Sequence, residues 1–80
     1  MPNAQCQFLE AELNACRTYV ELARSMPSEE LRGQALTNAM HAHTTVQTLM
    51  ETVRLAEPER VRLEKGLRQL GNELLGLLGV

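Results

Sequence analysis

Pro27 and Pro58 cut this chain into three stretches, and each stretch repeats its apolar residues at the three- and four-residue steps of a helix. Nothing in the composition competes with that periodicity. Ile, Asp and Trp are absent, and Leu, Ala, Glu, Arg and Gln, all good helix formers, dominate. The expected fold class is all-α. It is a three-helix up-down-up antiparallel bundle in one domain, residues 1–80, with helices over about 3–26, 29–56 and 59–78.

Eighty residues bury only about 60–65% of the surface an unfolded chain exposes, so a monomer of this size is marginal. Small folds compensate with disulfides, metals or association. Cys6 and Cys16 lie ten residues apart on the first predicted helix, roughly 15 Å of axial rise, too far for a disulfide within that helix. Reduced thiols and a cytoplasmic setting are therefore expected. The first residues lack the basic and apolar regions of a secretory signal, and the apolar run at residues 74–80 falls far short of the ~20 residues a membrane span needs. Net charge is −2 with acids and bases interleaved, which favours neither nucleic acid nor an anionic membrane as partner.

In the first stretch Cys6, Leu9, Leu13, Cys16, Val20 and Ala23 form one seam, and Phe8, Ala15, Tyr19, Leu22 and Met26 a second beside it. That arc is wider than one neighbouring helix needs. Ser28, followed by Glu29 and Glu30, supplies a helix start. The second stretch carries Leu31, Ala35, Ala39, Ala42, Val46, Leu49, Val53 and Ala56, with small residues where two helices should approach closely. The third carries Leu63, Leu67, Leu70, Leu74 and Leu77 in heptad steps, with Glu64 and Arg68 as an i,i+4 pair on its wet side.

Chemistry-bearing clusters are few. His41 and His43 stand two residues apart and diverge by about 200° on a helix, so they cannot chelate one ion. His43 should sit on the apolar flank beside Leu36 and Met50, and His41 in solvent. Histidine phosphotransfer needs a nearby cation behind the exposed imidazole, whereas Thr44, Thr45, Val46 and Gln47 follow here. Glu10 and Glu12 diverge, and Glu29 and Glu30 belong to a helix start, so no acid–base pair forms. Arg60, Arg62, Lys65 and Arg68 are interleaved with Glu57, Glu59 and Glu64 without stacking aromatics, the pattern of a solvated face. No catalytic, cofactor-binding or metal residue is assigned, and the chain is not expected to be an enzyme.

The run of small residues at Ala35, Ala39 and Ala42 is similar to the second helix of a tetratricopeptide-like pair. The Trp-Leu-Gly-Tyr signature of such repeats is missing, so no family is assigned. What the likeness implies is a protein-binding scaffold without catalysis. The functional expectation is a non-catalytic interaction or adaptor module, a homodimer or the holder of a helical protein partner. Its contact residues are expected to be Phe8, Tyr19, Leu22, Met26, Leu74, Leu75 and Leu78. The alternative is a small metal- or redox-responsive regulator using Cys6, Cys16, His41 and His43 across a dimer.

Overall fold

Three helices follow one another in the computed structural model, which describes residues 4–79. They are α1 (Ala4–Ser25), α2 (Glu29–Met50) and α3 (Glu57–Leu77). The expected start at Asn3 lies outside the described residues. Pro27 ends α1, because the residue before a proline is forced out of the helical region. Ser28 then adopts an extended backbone, and its hydroxyl accepts the Leu31 N–H at 3.1 Å, the N-cap that its position in the sequence implies.

The second helix is shorter than expected. It stops at Met50 rather than Ala56. The Leu49 carbonyl there accepts from the N–H of both Thr52 and Val53, at 3.0 Å each, and from the Thr52 hydroxyl at 3.2 Å. This cluster closes the last turn, and residues 51–56 carry the chain across to α3. At the start of α3 the Glu59 carboxylate accepts the Ala56 N–H at 3.0 Å, and Pro58 falls in the first turn, where its missing N–H costs nothing.

Side-chain contacts fix the topology. Glu10 pairs with Arg62, and Arg24 with Glu73 at 3.3 Å, so α1 and α3 run parallel. The Cys16 thiol donates to the Ala39 carbonyl at 3.3 Å, and Phe8 and Leu9 at the start of α1 meet Leu49 and Val53 at the end of α2, which sets α2 antiparallel to α1, while His43 reaches Leu67 on α3. The up-down-up bundle is thus the observed fold. The whole first seam of α1 is buried: Cys6, Leu9, Leu13, Cys16, Val20 and Ala23. Against it α2 places Ala35, Ala39, Ala42 and Val46, and α3 closes the core with Leu63, Leu70 and Leu74. Leu67 and Leu77 pack on its margin.

Two members of the expected α2 seam depart from it. Leu31, in the first turn, is 45% exposed, and Ala56 lies beyond the helix end, leaving Leu55 to pack instead. Leu36 and Met50 are buried in their place, because α2 must face α3 as well as α1. Glu64 also changes partner. Its carboxylate reaches back to Arg60 at 4.0 Å rather than forward to Arg68, as the tilt of helical side chains towards the N-terminus favours.

Candidate functional site

Beside their core seams, α2 and α3 each carry a second stripe at heptad spacing. On α2 it is Leu36, Met40, His43, Gln47 and Met50; on α3 it is Val61, Glu64, Arg68, Gly71, Leu75 and Leu78. Between these stripes runs a cleft of about 570 Å³, open to solvent. Met40, Leu75 and Leu78 line it while remaining 43–49% exposed. Leu67, Leu74 and the half-buried His43 also line it. Polar groups on its edge include Gln47, Asn72, Glu64 and Arg68.

One bond positions the wall of this cleft. His43 Nε2 lies 2.9 Å from the Leu67 carbonyl oxygen, which can only accept, so that nitrogen carries the proton. Gly71 makes the approach feasible. A methyl group there would lie 3.2 Å from Nε2, tighter than ordinary packing allows. The imidazole occupies the space that a side chain at position 71 would take.

The residues expected to form contacts are divided by the fold. Leu75 and Leu78 line the cleft and are open to a partner. Leu74 is a core residue at 5% exposure, so it cannot be an independent contact; its heptad position turns it inward. Phe8 is 50% exposed but stands over a separate hollow of about 290 Å³, with Leu9, Leu49 and Val53, where α1 begins and α2 ends. Leu22 is 39% exposed. Tyr19, which packs on the core, and Met26 are half-buried. The broad arc on α1 is therefore partly covered by α2 and does not form one open patch. Met40 was not among the expected contacts. Its heptad relation to Leu36, His43 and Gln47 is the signal that locates it.

The cysteines and histidines are not brought together. Both thiols are buried. Burial first, then a hydrogen bond to Glu59 and the charges of Glu59 and Glu10, push the Cys6 thiol above its ordinary pKa, against the opposing pull of Arg62. Burial likewise raises Cys16. His41 is exposed, as its divergence from His43 implies. Among the described residues no group of three or more His, Cys, Asp or Glu side chains could hold a metal ion, and no helix is long and apolar enough to cross a membrane.

No family model, curated protein or solved structure matches this chain. Its functional reading therefore stands on the cleft itself.

Proposed function

We propose that this protein is a non-catalytic helical interaction module that binds through the α2–α3 cleft. The observation that carries the reading is the exposure of Met40, Leu75 and Leu78 along one groove, while the leucines of the core stripe are turned inward. Three large apolar side chains held half in water on adjacent helices are what helix-in-groove recognition uses, with partner anchors at i, i+3 or i+4 and i+7. A volume of about 570 Å³ suits a few such anchors.

A metal- or redox-responsive regulator fits the thiols less well. Cys16 is wholly buried and hydrogen-bonded to Ala39, and raised thiol pKa values disfavour the thiolate that metals and oxidants require. Unpaired buried thiols fit a reducing, cytoplasmic setting.

The test compares two baits, the natural chain and a Met40→Glu, Leu75→Glu, Leu78→Glu variant. A protein held by the first and lost by the second, a further copy of this chain included, supports the reading. Identical retention by both, with the variant still helical, overturns it.

A further inference from the structure

We propose that the α2–α3 face is a two-fold interface with a second copy of this chain, the two α3 helices antiparallel, with Glu64 of each copy opposite the partner's Arg68. The inference rests on the interaction reading above and names its occupant.

Charge is the first argument. The cleft is lined by one acid, Glu64, and one base, Arg68, four residues apart on the same stripe of α3. A two-fold axis exchanges i and j, so a surface that carries both signs a turn apart is its own complement. Passing the axis across α3 midway between positions 64 and 68 makes both pairs at once. Arg68 is free to join them, having no ion pair or side-chain hydrogen bond among the described residues. Glu64 has only a 4.0 Å pairing with Arg60 to exchange, and its side chain is 55% exposed.

The same register satisfies the apolar residues. Positions 64 and 68 add to the same total as 61 and 71, so Val61, which is 55% exposed, comes over the partner's Gly71. Gly71 presents no side chain of its own there, and the edge of the His43 ring fills the space beside it within the same cleft. Leu75 then falls opposite the partner's Glu57 and beside the partner's Pro58, while Val61 makes the apolar contact nearer the charged pairs.

Area agrees. With the axis at this level the two α3 helices overlap over nearly their whole length, roughly 28 Å. The molecule measures 43 × 21 × 17 Å, so two helices side by side present a face about 20 Å wide. The footprint is on the order of 600 Å² before side-chain relief is added, which approaches the ~800 Å² each partner gives to a standard interface.

Charge reversal in trans is the decisive experiment. Mass is measured by light scattering over a dilution series for the natural chain, for Glu64→Arg and for Arg68→Glu, with Phe8→Glu as the control on the α1 side. The natural chain and Phe8→Glu should be dimers. Each single reversal places like charges opposite each other twice and should weaken dimerisation by about 30-fold or more. Mixing the two reversed chains should restore a dimer, because every pair is then complementary again. Helicity by circular dichroism shows that the variants remain folded. A natural chain that stays monomeric at its highest soluble concentration overturns the proposal, as does a dimer that both reversals leave intact. So does a mixture of reversed chains that fails to re-form dimers. A monomer that still retains a foreign protein in the bait comparison refutes the self-association alone and leaves the interaction reading standing.

Discussion

Gly71 and Gly33 are both helical glycines, yet a methyl group meets quite different surroundings at the two positions. At Gly33 it enters open space, so Gly33→Ala gains helix propensity and should stabilise the protein by about 0.5–1 kcal/mol. At Gly71 the same gain is opposed by crowding of His43 Nε2 and by loss of its bond to Leu67, itself worth roughly 0.5–1.5 kcal/mol. Gly71→Ala should therefore be neutral or destabilising, and chemical denaturation of both variants measures the contrast. The thiols make a second prediction at this scale. Burial raises Cys6 and Cys16 above the ordinary value of 9.0, so above that pH the unfolded chain gives up protons that the folded chain retains. Their contribution to stability is complete below pH 9 and is lost as pH rises through the folded-state values. Thermal unfolding midpoints should be flat with respect to these groups below that range and should fall above it. Replacing both cysteines with Ala should lower the midpoint but flatten the alkaline decline.

Helix ends follow from short-range chemistry to differing degrees. Ser28, placed after Pro27 and before Glu29 and Glu30, is a cap that can be found by eye, and the 3.1 Å bond to Leu31 bears it out. Ser28→Ala should cost about 1 kcal/mol, read as a lower denaturation midpoint with an unchanged slope. The end of α2 was not legible in the same way. Residues 51–56 contain neither glycine nor proline, and all of them tolerate a helix. The stop depends on three donors gathering at the Leu49 carbonyl and on the need to return towards α3. The second stripes of α2 and α3 were present in the sequence at regular heptad steps, but Leu75 and Leu78 were legible from the apolar run at residues 74–80 instead. Met40 was hidden because one polar-looking stripe, with His43 and Gln47, declares its role only when paired with its neighbour across the cleft. The α1 arc is less open in the fold than its width in the sequence implies, with Tyr19 packed on the core while Phe8 and Leu22 stay exposed. Breadth of apolar surface on one helix cannot say how far a close-packed alanine neighbour will cover it.

At the scale of the whole molecule the three helices do not share the core equally. α1 and α2 bury six residues each, whereas α3 buries three, Leu63, Leu70 and Leu74. Its further ties to α1 are the ion pairs Glu10–Arg62 and Arg24–Glu73, whose side chains are 40–63% exposed, and exposed pairs of this kind are worth little. The α1–α2 hairpin, joined by the short link through Pro27 and Ser28, buries Ala35, Ala39 and Ala42 along its seam, where the Cys16 thiol reaches the Ala39 carbonyl. In kinetic terms the bundle has an order. The hairpin should form first from contacts local in sequence, and α3 should dock last across the longer link. The same hierarchy governs opening. Backbone amides of α3 should exchange with deuterium at a lower free-energy cost than those in the middle of α1 and α2; uniform protection across all three helices would contradict it. The third helix is then the part of the molecule whose residence on the other two sets how long the α2–α3 cleft exists at all.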